Sequence, residues 1–189
     1  MEGNQARGHK MVLSDFLGEW GTGLLWAFLC LISSVRADEN VFWRYAGGRP
    51  DFICGRRCAL PAKEELKYLN RKGYDLCYSP RLKSCVWIAY ALTPNDVTNQ
   101  LGRIGYFRQD DDLLTETPSP KSYGGSGYDR GHMAPSQDMQ YTEEVSRQSF
   151  WMGNIMPQLP RLNRGEWKRL EGKIHRPAGS SSLMIFARF

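Results

Sequence analysis

The chain has 189 residues, of which 41% are hydrophobic and 12% aromatic; this is enough to bury the core of one domain and excludes an intrinsically disordered protein. Its formal net charge of +5 at pH 7 favours a polyanionic partner, nucleic acid first and an anionic membrane surface second. The acidic and basic side chains of residues 1–37 cancel, so the positive excess belongs to the remainder of the chain.

The N-terminal segment predicts export. Arg7 and Lys10 precede the apolar run at residues 24–32, which is much shorter than the roughly 20 residues that span a bilayer. Val35-Arg36-Ala37 then resembles a small-residue cleavage site. We therefore expect a signal peptide over residues 1–37 and a secreted or extracytoplasmic chain; an organelle-targeting segment or an uncleaved signal anchor is the alternative.

Four cysteines follow that segment. An even number of cysteines in an exported domain predicts two disulfides, for which three pairings exist. We expect Cys54 to pair with nearby Cys58, and Cys77 to pair with Cys85 across a hairpin turn, with free buried thiols as the alternative. Neither pair has the spacing of a zinc site.

The elements between residues 38 and 112 are predicted to be mainly strands and loops. Residues 38–58 are expected to be irregular, and residues 60–70 to hold a short helical turn. The acidic run at residues 110–112 is expected to be a solvated loop rather than a metal site. Aromatic and β-branched residues predict short strands at residues 74–78, 85–92 and 104–107. The first two strands are expected to form a hairpin, and the strand at 85–92 is expected to be central in a sheet.

Beyond residue 112, the sequence predicts a flexible loop, two helices and a final strand. The glycine-rich and serine-rich residues 119–127 indicate the loop. A helix over 142–152 has Thr142 as its N-cap and acids in its first turn. The second helix covers 162–171, and the strand covers 182–189.

His132 is the main candidate for acid–base chemistry near neutral pH. The chain has three histidines, of which His9 lies in the targeting segment and His175 is expected on the surface. His132 alone is closely flanked by an acid and an arginine, Asp129 and Arg130. Its side chain can take a proton from water at neutral pH, and the arginine can hold a phosphate.

The helix over residues 162–171 offers a site for a hard cation. Asn163 supplies a neutral oxygen ligand, with an N-cap role as the alternative. Glu171 lies about 12 Å further along the axis and leans back towards Asn163, so it reaches the water shell of an ion rather than the ion. Mg²⁺ accepts one or two protein oxygens and keeps several waters. These residues favour hydrolysis of a phosphate ester.

Several segments carry a resemblance to a known family. The run Tyr128-Asp129-Arg130-Gly131-His132-Met133-Ala134-Pro135 resembles the Asp-Arg-Gly-His signature of the endonuclease G-like DNA/RNA non-specific endonucleases. Asn154-Ile155-Met156-Pro157-Gln158 resembles the family's Asn-x-x-Pro-Gln segment, and residues 162–171 resemble its metal-site helix. Residues 71–78 with 87–93 resemble its opening hairpin, so the similarity covers roughly residues 66–189.

The resemblance implies an α+β, ββα-metal (His-Me finger) fold with a central antiparallel sheet and flanking helices. It also implies an Mg²⁺- or Mn²⁺-dependent endonuclease that cleaves DNA and RNA with little sequence preference. The roles it implies are His132 as general base, Asn163 as sole direct protein ligand of the metal, Glu171 as orderer of metal-bound water, Arg130 at the phosphate and Asp129 as an orienting residue. Arg103, Arg108 and Arg164 are the expected nucleic-acid-binding residues, with no choice made between the first two.

The chain departs from the family pattern at two points. His175 stands where the family often has an arginine. Family domains usually continue beyond the last residue, so we expect a domain that is incomplete at its C-terminus. A truncated homologue that binds nucleic acid or a partner without catalysis is therefore the alternative function. The expected division is a signal peptide at 1–37, an irregular segment at 38–65 and an endonuclease domain at 66–189.

Overall fold

The computed structural model describes residues 65–180 and 182–188, together with the backbone of residues 32–33. Seven strands lie in this part of the chain: β1 (Ile32–Ser33), β2 (Lys67–Asn70), β3 (Asp75–Ser79), β4 (Ser84–Leu92), β5 (Asp129–His132), β6 (Ile155–Gln158) and β7 (Leu183–Arg188). Its helices are α1 (Pro94–Thr98), α2 (Glu143–Ser149) and α3 (Lys168–Ala178), the last continuing a π-helical turn at Leu162–Trp167. Short 3₁₀ turns lie at Asp111–Leu113, Pro120–Tyr123 and Met152–Asn154.

Five of these strands form an antiparallel sheet, and the other two form a separate ribbon. The sheet order is β1-β7-β4-β3-β2, with β4 between β3 and β7. The ribbon pairs β5 with β6. Seven of the nine residues of β4 are buried. Both faces of this strand are therefore covered, which explains why its apolar residues run consecutively instead of alternating with polar ones.

The two faces of the sheet carry separate clusters of buried side chains. The larger cluster contains Leu76, Ile88 and Tyr90, and α3 packs onto it through Ile174 and Ala178. The smaller cluster covers the other face and consists of Cys77, Val86, Trp87 and Ala89. The larger cluster therefore fixes α3, and with it the adjoining π-helical turn, against the sheet.

The sequence predicted the β3–β4 hairpin, the central place of β4, the helix capped by Thr142, and β7, and the structure confirms these elements. The helical turn predicted for residues 60–70 is wrong for its described part, because residues 67–70 form an edge strand paired with β3. Leu66 and Tyr68 alternate onto the smaller cluster, a period of two residues that belongs to a strand.

The strand predicted at residues 104–107 is absent from the described secondary structure. Only the adjoining Arg108 makes a bridge, which pairs it with Trp151. Gly105 has a φ of +146°, and the ring of Phe150 packs where a Cβ would lie, with a carbon 2.5 Å from that position. Glycine adopts this backbone conformation without strain and leaves room for the ring. The same conformation interrupts a regular strand.

The predicted pairing of Cys77 with Cys85 is wrong. Cys85 is buried in the larger cluster, where its thiol donates to the Trp87 backbone oxygen at 3.1 Å, whereas Cys77 belongs to the cluster on the opposite face of the sheet. A register shift at Cys77 and Tyr78 interrupts the hairpin ladder. The predicted pairing of Cys54 with Cys58 lies outside the described residues.

The acidic run at residues 110–112 is solvated at Asp111 and Asp112, as predicted, but Asp110 is buried against an arginine. The Arg71 guanidinium donates to Asp110 Oδ1 at 2.5 Å and also to Asp112, while Arg108 pairs with Asp111. The Asp110 side chain is fully buried, and burial raises its pKa although Arg71 opposes the shift. The run is thus a structural clip, which joins the turn between β2 and β3 to the loop before the β5–β6 ribbon.

We expect Arg71→Ala to destabilise the fold by about 3–5 kcal/mol, because it leaves the Asp110 carboxylate buried without its cation. Arg147→Ala is the matched control: its ion pair with Glu143 is exposed, and such pairs contribute about 0.5 kcal/mol or less. The midpoint of guanidinium unfolding measures both changes. Equal midpoints for the two variants would contradict a structural role for the clip.

Candidate active site

Strand β5 carries the histidine motif, and its side chains point alternately to the two faces of the ribbon. Arg130 and His132 point to one face of the ribbon, where both contact the ring of Phe107. Asp129 points to the other face, towards the π-helical turn. Gly131 pairs with β6, and a Cβ at this position would overlap the Gln158 side chain. A larger residue at this position would force the buried Gln158 side chain to move.

The imidazole of His132 lies in an aromatic pocket. Its ring centroid is 5.0 Å from that of Phe150, edge to face, and 5.5 Å from that of Phe107. Its Nε2 is buried and has no hydrogen-bond partner among the described residues. Burial, together with the nearby charge of Arg103, lowers the pKa of His132 to about 3. The ring is therefore neutral at neutral pH and has one nitrogen able to accept a proton.

This environment makes the stability of the fold depend on pH through His132. Above pH 6.5 the imidazole is neutral in both the folded and unfolded states. Below it, the unfolded imidazole binds a proton that the folded one does not bind until about pH 3, so stability falls as the pH falls. We expect the wild type to lose about 1 kcal/mol per pH unit more than His132→Asn between pH 6 and pH 4.

Denaturant unfolding at several pH values measures this difference, and the carboxylates that both proteins share cancel in the comparison. Parallel stability curves for the two proteins would show that the folded imidazole titrates normally.

Asp129 ties the strand to the π-helical turn. Its carboxylate accepts a hydrogen bond from Asn163 Nδ2 at 3.0 Å and a bidentate pair from Arg164, with both distances 2.7 Å. These contacts, Arg164 first, lower the pKa of Asp129 to about 2, so it is ionised at neutral pH. Because the Asn163 amide nitrogen is engaged, its amide oxygen is the atom that remains for a cation.

The local helix geometry accounts for the position of Asn163. The turn over Leu162–Trp167 is π-helical, a form that is rare and frequent at functional sites. Asn163 lies inside this turn, whose N-cap residue is Arg161, so the N-cap alternative for Asn163 is wrong. Trp167 Nε1 donates to the backbone oxygen of His132 at 3.2 Å. The turn is thus attached to both ends of β5.

Glu171 faces a buried polar network behind the helix. Asp138 is fully buried; it accepts a hydrogen bond from Tyr90 at 2.8 Å and contacts His175 Nδ1 at 2.9 Å. Burial and the charge of Asp138 raise the pKa of Glu171 to about 7. The surface position predicted for His175 is wrong: its side chain is 18% exposed, because the buried carboxylate holds it inward.

The predicted nucleic-acid-binding arginines lie in different surroundings. The Arg103 guanidinium lies 4.6 Å from the ring centroid of Phe150, beside His132. Arg108 is turned towards Trp151 and paired with Asp111, and Arg164 is engaged by Asp129. The structure therefore brings Arg103, and not Arg108, to the histidine.

A cleft of about 500 Å³ opens beside the motif. It is bounded by side chains from three parts of the chain: Phe107, Pro120, Lys121, Tyr123, Gly124, Tyr128, Asp129, Arg130 and Asn163. Of these residues, the sequence predicted only Asp129, Arg130 and Asn163 as functional. It missed Phe107, and also Phe150, which encloses His132 together with Phe107. A neutral base, an oriented amide oxygen and two arginines, Arg103 and Arg130, that form no ion pair with a described residue can together bind and attack a phosphate ester.

Comparisons with known proteins agree with this chemistry. The model of a family described as DNA/RNA non-specific endonuclease matches residues 57–187. Over 128 residues the chain is 32% identical to "Endonuclease G, mitochondrial" of Bos taurus, covering 67% of this chain and 42% of that protein. It is 40% identical to a nuclease of Nostoc sp. over 107 residues, covering 55% of this chain and 39% of that protein. The chain therefore spans about two fifths of the length of these relatives.

A solved structure shares the fold. The crystal structure of the EndoG/EndoGI complex matches with a TM-score of 0.58 and 23% identity, covering 71% of this chain and 57% of that chain. The predicted α+β fold with antiparallel sheets is confirmed, and the ββα arrangement corresponds to β5, β6 and the helix that follows them.

The predicted secretion is wrong. Relatives from Bos taurus, Homo sapiens, Saccharomyces cerevisiae and Schizosaccharomyces pombe are named as mitochondrial nucleases. The basic residues before a short apolar run were therefore not sufficient to establish secretion. The predicted signal peptide, apart from the backbone of residues 32–33, lies outside the described residues. Within the described part, no helix is long and apolar enough to cross a membrane.

Proposed function

The chain belongs to the DNA/RNA non-specific endonuclease family, and we propose that it hydrolyses phosphodiester bonds in DNA and RNA with little sequence preference. One observation carries the proposal: β5 presents a neutral imidazole on one face and, on the other, an ionised Asp129 that orients Asn163. Arg103 and Arg130 add positive charge beside the histidine. Such groups bind phosphate and read no bases, which suits cleavage without sequence preference.

The family is one of divalent-metal-dependent nucleases, and Asn163 fits such an ion. The engaged amide nitrogen leaves one hard oxygen, and Mg²⁺ accepts one or two protein oxygens while it keeps its waters. Among the described residues, no group of three or more His, Cys, Asp and Glu side chains could hold a metal, so a single oxygen ligand is the better fit. Mg²⁺ or Mn²⁺ bound there would stabilise the charge that develops on the phosphate and the leaving oxygen.

The side chains of this chain would perform the remaining steps. His132, whose imidazole is neutral, would accept a proton from the water that attacks phosphorus. The bond between phosphorus and the leaving sugar oxygen breaks as the new bond forms, and this oxygen takes a proton from solvent water. Arg130 holds a phosphate oxygen, and Arg103 lies on the same side of the imidazole. Asp129 positions Asn163 and does not transfer a proton, because its pKa of about 2 is far below neutrality. Glu171, which lies between Trp167 and the buried Asp138, would order water behind the helix.

Degradation of plasmid DNA and of total RNA by the full chain in Mg²⁺ tests the proposal. We expect both substrates to be degraded, with fragment ends that show no sequence preference. Cleavage at one recognition sequence would contradict it. Salt-sensitive binding without turnover would instead favour the alternative, a nucleic-acid-binding homologue without catalysis.

The place of action follows from the relatives. Their mitochondrial names support targeting to an organelle. Fractionation of cells that express the full chain tests this: co-purification with mitochondria is expected, and recovery from the medium would contradict it.

A further inference from the structure

The cleft beside the motif is lined by aromatic side chains, which binding and cleavage of a phosphate do not require. Its walls include three aromatic rings, of Phe107, Tyr123 and Tyr128, and two cationic side chains, of Lys121 and Arg130. Its volume of about 500 Å³ lies in the range of small-molecule sites. Aromatic faces stack on planar rings, and cations bind anionic oxygens. A nucleotide has both a planar base and a phosphate.

The two tyrosines are held by one ordered turn. The Ser126 hydroxyl donates to the Tyr123 backbone oxygen at 2.8 Å and accepts from the Tyr128 backbone nitrogen at 3.1 Å. Gly125 and Gly127 between them have φ values of +72° and +81°, a conformation that glycine adopts without strain. This segment was predicted to be a flexible loop, but its hydrogen bonds close it. The backbone that carries both tyrosines is therefore ordered.

Tyr123 and Tyr128 offer different contacts. The Tyr123 hydroxyl is buried and has no hydrogen-bond partner among the described residues, and burial raises its pKa to about 12, so it remains protonated. A ligand atom that accepts a hydrogen bond from this hydroxyl would satisfy it. The Tyr128 side chain is 48% exposed at the cleft, immediately before Asp129. Its ring is available for stacking.

We propose that this cleft is a nucleoside subsite. It takes the base of the nucleotide whose phosphate lies at Arg130, and the base stacks on Tyr128. The inference rests on the proposed function, since the phosphate at Arg130 is the one to be cleaved. A base that is paired inside a duplex cannot enter such a cleft. The preferred substrate class is therefore a single strand or a locally opened duplex. Stacking on one aromatic side chain favours the substrate by about 10-fold.

Binding of mononucleotides to the full chain tests the subsite independently of catalysis. Isothermal titration compares 5′-AMP and 3′-AMP with ribose 5-phosphate, which lacks the base. We expect at least one mononucleotide to bind about 10-fold more tightly than the sugar phosphate, and Tyr128→Ala to abolish the difference. Tyr128→Phe should keep it, because the ring remains. Tyr106→Ala is the control, since Tyr106 is 71% exposed and lies outside the cleft lining.

Cleavage of a single-stranded oligonucleotide with one abasic position gives the second readout. The wild type should cut beside the abasic position about 10-fold more slowly than at intact nucleotides, and Tyr128→Ala should cut both equally. Equal affinity for all three ligands, or a selectivity that Tyr128→Ala leaves intact, would overturn the subsite. Base-dependent binding without cleavage of any oligonucleotide would support the subsite and overturn the proposed function, so the two failures are distinguishable.

Discussion

His132→Ala is expected to lower kcat for phosphodiester cleavage by about 10³-fold and to leave KM nearly unchanged. The imidazole is the neutral base beside Arg103 and Arg130, and a positioned general base contributes about 10²–10⁴-fold to a rate. Its side chain makes ring contacts and no described side-chain hydrogen bond, so the fold should survive its loss. Single-turnover cleavage of a labelled oligonucleotide measures the effect.

Two controls separate loss of the base from loss of structure. The far-ultraviolet circular dichroism and the unfolding midpoint of His132→Ala should show a folded protein. Added imidazole should restore part of the rate, because it replaces the missing base in the pocket between the phenylalanines. A folded His132→Ala protein that keeps more than about one tenth of the wild-type rate would exclude His132 as the base.

Asn163→Ala is expected to reduce cleavage to a similar extent, by about 10³-fold, because it removes the amide oxygen proposed to bind the cation, whose partner nitrogen is held by Asp129. The direct readout is Mn²⁺ binding, followed by electron paramagnetic resonance of the free ion. The wild type should bind Mn²⁺, and Asn163→Ala should not. Asn95→Ala, at an exposed asparagine of α1, is the matched control and should bind like the wild type.

Asp129→Asn tests whether the carboxylate positions the amide. It removes the charge that holds Asn163 and Arg164, so Mn²⁺ affinity should fall less than in Asn163→Ala but clearly below the wild type. An Asn163→Ala protein with unchanged Mn²⁺ affinity would show that the cation binds elsewhere.

The sequence predicted those features that depend on neighbouring residues in the chain. The β3–β4 hairpin, the Thr142 cap and the helix after Asn163 are local patterns of alternation, capping and periodicity. The Asp-Arg-Gly-His motif and its spacing to Asn163 predicted the two parts of the proposed site. The contact that joins them, from Asn163 to Asp129, spans 34 positions and follows from the ribbon and the π-helical turn.

Features that depend on tertiary packing were beyond sequence analysis. The aromatic pocket of His132 combines Phe107 and Phe150, which lie in different segments and follow no common pattern. His175 turns inward only because Asp138 is buried behind α3. The choice between Arg103 and Arg108 required the path of the loop that carries both. The predicted pairing of Cys77 with Cys85 was wrong because a register shift in the hairpin places the two side chains on opposite faces of the sheet.

The initial rate at which the full chain nicks supercoiled plasmid, measured in Mg²⁺ and again after addition of excess EDTA, tests the central claim most directly. A histidine base working beside a cation at Asn163 predicts rapid nicking in Mg²⁺, none in EDTA, and recovery when Mg²⁺ is restored. Nicking that continues unchanged in EDTA, or no nicking by the folded chain in Mg²⁺, would contradict it.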